Sequence, residues 1–181
     1  MSWNIDRSHS QITFSVRHMM ISNVHGRFEE FSGTVDFNEQ DPALSTVSVE
    51  IDAASINPRE PQRDTHLTSP DFLNAAEFPK LTFRSTRVEL VGDAHARLHG
   101  DLTIRGLSRP VTLDVEYAGT AKSPWGTTSA GFSASTRINR KDWDLNWNVA
   151  LETGGILVGD TININIELEI VKQPESETQT A

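Results

Sequence analysis

The sequence predicts an all-β protein built as one antiparallel β-barrel of about eight strands. First, apolar and polar residues alternate with a period of two through much of the 181-residue chain, which is typical of strands with one buried face. Second, Gly, Ser and Asp recur between the alternating segments, as they do in hairpins. Third, the strands are long, and long one-faced strands favour one rolled sheet over two packed sheets.

The alternation is clear at residues 12–16 and 47–51, where every second residue is apolar: Ile12, Phe14 and Val16, then Val47, Val49 and Ile51. Shorter predicted strands cover residues 81–83, 88–90, 98–104, 111–117, 132–138 and 149–151. Turn signals stand at Gly92-Asp93, Gly106, Ser108 and Gly119. These segments and the last strand predict about eight to ten strands, joined mostly by short hairpin connections.

The last predicted strand has the clearest pattern. Apolar residues at 162, 164, 166, 168 and 170 alternate with Asn and Glu. Nine residues at about 3.3 Å each span roughly 30 Å, which is long for a strand in a globular sheet. This length favours a barrel.

Only residues 58–76 interrupt the strand pattern. Pro61 and Pro70 lie in this segment, and Thr68, Ser69 and Asp71 are candidate helix caps, so short helices are expected near residues 65–67 and 72–75. The chain length fits one domain, which we assign to residues 1–172. Residues 173–181 are polar and acidic, and we expect them to be a disordered tail.

Charge and composition limit the classes of partner. The formal net charge of −9 predicts repulsion from nucleic acid and from anionic membrane surfaces at any useful range. No apolar run approaches the roughly 18 to 20 residues of a transmembrane helix, and the chain contains no cysteine. Because the first residues lack the basic start and apolar stretch of a secretory signal, we expect a cytoplasmic protein.

The six histidines do not predict a metal site. None form a His-x-His pair, and His95 and His99, although four residues apart, lie in a strand segment without the helical face that such spacing needs. His9 and His18 lie in or beside the first strand. For each, the alternative to a functional role is a hydrogen-bonded histidine in the core. No metal and no cofactor are predicted.

Arg63, Asp64 and His66 form the polar cluster that most resembles a functional site. An arginine near a histidine suits a pyrophosphate or acid–base work. The structural alternative is that Arg63 pairs with a carboxylate and Asp64 caps the short helix, and for Asp64 we favour this alternative. As a hydrolytic site the cluster lacks an identified nucleophile, which leaves Arg63 and His66 as candidates at the rim of a binding site.

Individual residues also match a known family, in order and spacing. The matching stretches include Trp3, Asp6 and His9-Ser10, then Gly26-Arg27-Phe28, Arg63-Asp64-Thr65-His66-Leu67, Gly100-Asp101-Leu102-Thr103, Asn139-Arg140-Lys141-Asp142-Trp143 and Val158-Gly159-Asp160. Through them the chain resembles the bacterial YceI-like family of polyisoprenoid-binding proteins over residues 3–172. One departure is Asp144, which stands where the family usually has glycine after the Asp-aromatic pair.

The resemblance implies an extended lipocalin-like barrel, capped near one end by the helical excursion, whose apolar tunnel holds a polyprenyl phosphate or a quinone-like lipid. It does not imply catalysis. Large apolar residues are the candidates for the tunnel wall, although each has core packing as its alternative: Phe14, Val16, Met19, Met20, Ile21, Phe28, Phe37, Leu67, Phe72, Phe83, Phe132, Trp143 and Trp147. The candidates for the polar rim are His18, Arg63 and His66.

Two other functions are compatible with the same residues. One is an enzyme that acts on the bound lipid with His18 or His66 as a base. The other is a stress-related structural domain whose own side chains fill the interior. Whatever the function, the resemblance to a family whose members often pair, together with an exposed edge or rim of the barrel, leads us to expect a homodimer.

Overall fold

A computed structural model of the chain describes residues 3–151 and 155–172. Within these residues the strands are β1 (Trp3–Ile5), β2 (Gln11–His18), β3 (Ser22–Phe28), β4 (Phe31–Asp36), β5 (Thr46–Asp52), β6 (Ile56–Asn57), β7 (Lys80–Gly92), β8 (His95–Ile104), β9 (Leu107–Lys122), β10 (Thr128–Asn139) and β11 (Val158–Lys172). The helix α1 is Pro61–Thr68, and short 3-10 turns lie at Arg7–His9, Pro42–Leu44, Ala53–Ser55 and Arg140–Trp143.

The strands form one antiparallel sheet that closes on itself. The order is β1-β4-β5-β7-β8-β9-β10-β11-β2-β3-β6, and β1 also pairs with β11. At the closure Trp3 pairs with Val35 of β4 and with Lys172 of β11. Strands β1 and β2, β3 and β4, and β5 and β6 each form one long bent strand, so the barrel has eight strands. The predicted all-β antiparallel barrel is confirmed.

Several predicted strand boundaries are wrong. Residues 81–83 and 88–90 belong to one continuous strand, β7, and residues 149–151 form only an isolated bridge between Ala150 and Ile156. Ser108 and Gly119 lie inside β9. Gly119 has φ 125° next to a register shift between β9 and β10, so this glycine serves a β-bulge that bends the strand and does not form a turn.

Four strands were not predicted, namely β1, β3, β4 and β6. They are short or alternate weakly: β3 reads Ser-Asn-Val-His-Gly-Arg-Phe, with few apolar residues. Their positions are set by pairing: β1 with β11, β3 with β2, β4 with β5 and β6 with β3. The helix is also longer than predicted, because α1 spans Pro61–Thr68, whereas residues 72–75 contain turns and no helix.

The connections alternate between the two ends of the barrel because neighbouring strands are antiparallel. One end, here called the α1 end, carries residues 19–21, 58–79, 105–106, 140–151 and 155–157. The opposite end carries residues 37–45, 93–94 and 123–127. Residues 58–76 are therefore not the only excursion from the strand pattern, since the β10–β11 connection is a second one at the same end.

A polar cluster forms the break between β1 and β2. Asp6 accepts hydrogen bonds from the backbone N–H of Ser8 at 3.0 Å and from its hydroxyl at 2.7 Å, and Nδ1 of His9 lies 2.8 Å from Asp6. The bonds from Ser8 and then His9 hold the pKa of Asp6 well below its ordinary value. His9 is exposed, so the alternative of a core histidine is wrong for it. Asp6, His9 and Glu169 are three groups of metal-ligand type within 4.8 Å of one another.

The same cluster predicts a pH dependence of stability. The hydrogen bond to Asp6 raises the pKa of His9 above 6.5. The folded protein therefore binds more protons than the unfolded chain, and this contribution to stability is full below pH 6.5 and is lost as the pH rises through the raised pKa. We expect the urea midpoint to fall between about pH 6 and about pH 8, and the fall to be smaller in His9→Gln.

His25→Gln is the matched control, because His25, on β3, is exposed like His9. It should keep the pH dependence of the wild type. An identical fall in His9→Gln and the wild type would contradict the assignment to His9.

Candidate functional site

The barrel encloses an elongated cavity of about 670 Å³. Its wall is almost entirely apolar because alternate residues of each strand point inward. In β11, Ile162, Ile164 and Ile166 line the cavity, whereas Asn163 and Asn165 between them do not. The period of two that predicted the strands therefore also produces the apolar lumen.

Most of the candidate residues lie on the cavity. The apolar candidates that line it are Phe14, Val16, Phe28, Phe37, Leu67, Phe72, Phe83, Phe132 and Trp147. The rim candidates His18, Arg63 and His66 line it as well. The structure thus brings twelve of the sixteen candidates to one cavity, and lipid contact by these residues stays a prediction.

Four candidates do not line the cavity. Met19, Met20 and Ile21 lie beyond the end of β2 at the tip of a hairpin, with 42%, 55% and 79% of their surfaces exposed. Trp143 is 2% exposed, and its indole Nε1 donates to the carbonyl of Leu102 at 2.9 Å. A chain reversal therefore takes the first three out of the lumen, and tertiary packing buries the fourth in the core.

The candidates were chosen for their large side chains, and this choice omitted many aliphatic residues of the cavity wall. They include Leu102, Ile104, Val111, Leu113, Val115, Ile162, Ile164 and Ile166. The sequence signal that identifies them is the alternation itself, because all of them occupy inward positions of predicted strands. Aromatic and methionine side chains were favoured for their bulk, although a β-branched residue presents equally apolar surface to a ligand.

Two glycines keep phenylalanine rings against the wall. A Cβ atom at Gly26 would lie 2.5 Å from Cζ of Phe14, and one at Gly100 would lie 2.5 Å from Cζ of Phe83. Each ring therefore occupies the space over a glycine of the neighbouring strand. Because the rings lie against the wall, they do not project into the lumen, and space remains free along the barrel axis.

An aromatic cluster closes the α1 end. The His66 ring is 4.4 Å from that of Trp147 and 5.0 Å from that of Phe72, while Phe72 and Trp147 are 5.4 Å apart. Nε2 of His66 also lies 3.0 Å from a carboxylate oxygen of Asp71. The cluster joins the α1 excursion to the β10–β11 connection, which fixes two chain segments over the lumen.

A second aromatic cluster lies near the opposite end. Phe37 packs at 5.2 Å from Phe132 and at 5.7 Å from Tyr117, and its carbonyl accepts a hydrogen bond of 3.2 Å from Nε1 of Trp3. Trp3 is fully buried. Both ends of the cavity are therefore bordered by packed aromatic rings from different segments of the chain.

Arg140 holds the β10–β11 connection in place. Its guanidinium donates to the carbonyls of Gly159 at 2.8 Å, Trp147 at 2.9 Å and Val158 at 3.3 Å, and also to that of Leu145. The side chain is 2% exposed, and burial lowers the pKa of its guanidinium below the ordinary value. This one side chain therefore positions the segment that carries Trp147, a role that its place in a matched motif did not reveal.

Charged residues on the cavity differ between the two ends. At the α1 end they are basic: Arg17, His18, Arg63, His66 and the buried Arg140. Toward the opposite end they include Glu39, Asp93, His95 and Glu167. An anionic group attached to an apolar chain is therefore favoured at the α1 end.

The predicted structural roles of Arg63 and Asp64 have different outcomes. Arg63 lies 3.8 Å from a carboxylate oxygen of Glu60, as expected for an ion pair. Helix α1 begins at Pro61, so Asp64 lies within its first turn and does not occupy the capping position. The side chain of Asp64 lies outside the described residues. Arg17, which was not a candidate, joins Arg63 on the same rim.

The backbone conformation of Asp144 explains why the family usually has glycine at this position. Asp144 ends the 3-10 turn at Arg140–Trp143 with φ 58° and ψ 25°, in the left-handed region. A side chain there costs about 1 to 2 kcal/mol, less for Asp than for most residues. We expect Asp144→Gly to raise the free energy of unfolding by about 0.5 to 1 kcal/mol in urea titrations.

Asp144→Ala is the matched comparison, because alanine lacks both the freedom of glycine and the local hydrogen bonding of aspartate. It should lower stability relative to the wild type. Equal stability of the Gly and Ala variants would contradict this account of the turn.

The closed antiparallel barrel and its apolar lumen place the protein among the lipocalin-like β-barrels. The profile of the YceI-like domain matches residues 3–170. The chain therefore belongs to the YceI-like family, as the sequence resemblance indicated.

Relatives agree with this assignment. Protein YceI of Escherichia coli O157:H7 is 39% identical over 145 residues, which cover 79% of this chain and 75% of the relative. The crystal structure of the Campylobacter jejuni YCEI protein is 33% identical with a TM-score of 0.76, covering 87% of this chain and 90% of the other. A polyisoprenoid binding domain from Saccharophagus degradans, 14% identical with a TM-score of 0.68, covers 94% and 98% and shares the fold. Within the described part of this chain, none of the helices is long and apolar enough to span a bilayer.

Proposed function

We propose that the protein binds a long isoprenoid lipid in the barrel and stores or transports it without catalysing a reaction. The observation that carries the proposal is the cavity of about 670 Å³ with its apolar wall. Membership of the YceI-like family supports it, as does the fold shared with the polyisoprenoid binding domain from Saccharophagus degradans. The open cavity argues against a structural domain whose own side chains fill the interior.

The dimensions of the barrel suit a long and narrow ligand. Strand β9 has 16 residues, which span roughly 50 Å at about 3.3 Å each. At a strand tilt of 35–45° this corresponds to roughly 40 Å along the barrel axis. Each methylene-sized group removed from water contributes about 0.8 kcal/mol before ordering costs, so a polyprenyl chain gains affinity with each buried isoprene unit.

The charges at the α1 end favour a polyprenyl phosphate over a quinone-like lipid. Arg17, His18, Arg63 and His66 border the cavity there, and arginine suits phosphate because it donates several hydrogen bonds to one anion. In this arrangement the hydrocarbon lies in the lumen and the phosphate lies at the basic rim.

The first test is reconstitution with a polyprenyl phosphate followed by organic extraction and mass spectrometry. We expect about one lipid per chain after removal of unbound lipid, and no change in the mass of the lipid. Recovery of no isoprenoid from native or reconstituted protein would contradict the binding function.

Substitutions at the rim test the position of the headgroup. We expect Arg17→Gln combined with Arg63→Gln to weaken binding of a polyprenyl phosphate by about tenfold or more, because charge-assisted hydrogen bonds contribute about 1.5 to 3 kcal/mol. Binding of the uncharged polyprenol should change little. Arg137→Gln, on an exposed position of β10, is the control, and equal losses for both lipids would contradict the assigned orientation.

The enzymatic alternative is tested with His18→Ala combined with His66→Ala. If the protein were an enzyme, this variant would lose turnover of the bound lipid and keep the lipid itself. The proposal expects no chemical change of the lipid in the wild type or the variant. A wild-type product that disappears in the variant would overturn it.

Four finer points stay predictions. They are a quinone-like lipid as the alternative cargo, transport as opposed to storage, a homodimer and a cytoplasmic location. Light scattering tests the homodimer, and identification of the lipid that copurifies with the protein distinguishes the two cargo classes.

A further inference from the structure

The hairpin tip formed by residues 19–21, between β2 and β3, exposes three consecutive large apolar side chains. Met19, Met20 and Ile21 are 42%, 55% and 79% exposed. Single exposed apolar residues are common on protein surfaces, but three together at the end of a hairpin form a projecting apolar group.

The backbone of the tip is unfavourable for its residues. Met19 and Met20 have φ 51° and 65°, and the N–H of Ile21 donates to the carbonyl of His18 at 3.2 Å. A turn with two left-handed residues favours Asn-Gly, because most other side chains cost about 1 to 2 kcal/mol there. Stability of the turn therefore does not account for two methionines at these positions.

The tip borders the α1 end of the cavity. The N–H of Met19 donates to the carbonyl of Leu157 at 2.7 Å, and the N–H of Leu157 donates to that of Val149 at 2.9 Å. His18 and Leu157 both line the cavity, and Val149 is 46% exposed. The exposed apolar side chains therefore continue outward from the cavity wall.

The charge of this hairpin is opposite to that of the whole chain. Residues 7–28 contain three arginines and three histidines and no acidic residue, whereas the chain has a formal net charge of −9. Arg7 and Arg27 pair with Glu30 and Glu29 far from the tip. Arg17 is exposed two residues before the tip, where a cation complements an anionic surface.

We infer that the hairpin tip inserts into the surface of an anionic phospholipid bilayer and places the α1 end of the cavity against it. This inference rests on the proposed function, because it describes how a lipid enters and leaves the lumen. An exposed apolar tip preceded by the exposed Arg17 combines an apolar group that can enter a bilayer surface with a positive charge that complements anionic headgroups. The net charge of −9 predicted repulsion from anionic membranes, but charges farther than about 8 Å from the surface are screened at physiological salt, so the charge close to the tip decides the contact.

A single introduced cysteine tests the contact directly, because the chain has none of its own. Ile21→Cys is labelled with the environment-sensitive nitrobenzoxadiazole fluorophore and mixed with phosphatidylcholine vesicles that contain phosphatidylglycerol. We expect a several-fold rise in emission and a shift to shorter wavelength. Val91→Cys, which is 48% exposed at the opposite end of the barrel, should show no such change.

Three results of this experiment would overturn the inference. They are no response at Ile21→Cys, an equal response at Val91→Cys, and an equal response to vesicles of phosphatidylcholine alone. The last would show that the surface recognised is not anionic.

A second variant separates this inference from the proposed function. Met19→Asn, Met20→Gly and Ile21→Ser combined should keep the turn and lose sedimentation with the anionic vesicles by at least about tenfold. The variant should still retain isoprenoid loaded from detergent. Leu44→Ser combined with Val91→Ser, which removes two exposed apolar side chains at the opposite end, is the matched control and should sediment like the wild type.

Wild-type sedimentation by the triple variant would overturn the membrane contact and leave lipid binding intact. Absence of isoprenoid from the loaded wild type would instead refute the proposed function, whatever the vesicle result. The two failures are therefore distinguishable.

Discussion

Replacing both Ala96 and Ala134 by phenylalanine is expected to reduce isoprenoid binding by at least about tenfold, or about 1.4 kcal/mol. Both alanines line the cavity. The register places them on either side of Val115, because Ala96 pairs with Val115 on β8 and β9 and Val115 pairs with Ala134 on β10. Two added rings at one level of the barrel therefore occupy the space that a ligand chain would need.

The barrel itself should tolerate these rings. Added bulk destabilises a core that is already filled, but here it enters an existing cavity. Phenylalanine brings no polar atom that would need a hydrogen-bond partner. We expect the urea midpoint to stay equal or rise, so that a loss of lipid cannot be attributed to unfolding.

Ser135→Phe is the matched control for this experiment. Ser135 is next to Ala134 on β10 but faces outward and is exposed. It should bind lipid like the wild type, measured by extraction and mass spectrometry after reconstitution. Full lipid retention by the double variant would show that the cavity is not the binding site.

Arg140→Met is expected to lower the free energy of unfolding by about 3 to 5 kcal/mol. The guanidinium donates to four backbone carbonyls in the β10–β11 connection and at the start of β11. Methionine has a similar length but no donor, so it leaves these carbonyls without their partner. Asp160, whose Oδ1 lies 3.9 Å from the guanidinium, would lose that buried positive charge and keep Lys141, whose Nζ lies 3.4 Å from its Oδ2.

Lipid binding should fall together with stability in this variant. Trp147 is held through its carbonyl by Arg140, and its ring packs on His66 and Phe72 over the α1 end of the cavity. Urea titration measures the first effect, and retention of reconstituted lipid at low temperature measures the second. Lys141→Met, at the neighbouring exposed position, should change the free energy of unfolding by less than about 1 kcal/mol.

A loss of less than about 1 kcal/mol in Arg140→Met would contradict the assigned role of Arg140. Arg140→Lys is informative as well. Lysine keeps the charge but lacks the planar group with five N–H donors, so it should recover only part of the stability.

The alternation at residues 162–170 was sufficient to predict β11, since a strand that faces an apolar lumen on one side and solvent on the other shows its period in the sequence. The same argument failed for β3 and β4. β3 has few apolar residues and β4 has Gly33 at an alternating position, so both are held by hydrogen bonds to the neighbouring strands β2 and β5 and show little pattern of their own.

The site residues also divide into those that the strand pattern predicts and those that it misplaces. Phe14, Phe83 and Phe132 were identified because they are inward residues of strands. Met19, Met20 and Ile21 were misplaced because a period of two has no meaning beyond the end of a strand, where the chain reverses. Trp143 was misplaced because its indole reaches Leu102, a contact between residues far apart in sequence.

The sequence by itself determined that the chain forms an antiparallel barrel with an apolar interior, because side chains in strands alternate between two faces. It also determined the family, through the order and spacing of its motifs. Only the tertiary structure decided that the interior is open, since openness depends on the closure of eight strands and on rings that lie over Gly26 and Gly100. It alone brought basic side chains from the end of β2 and from α1 to one rim, because their proximity depends on how distant segments pack.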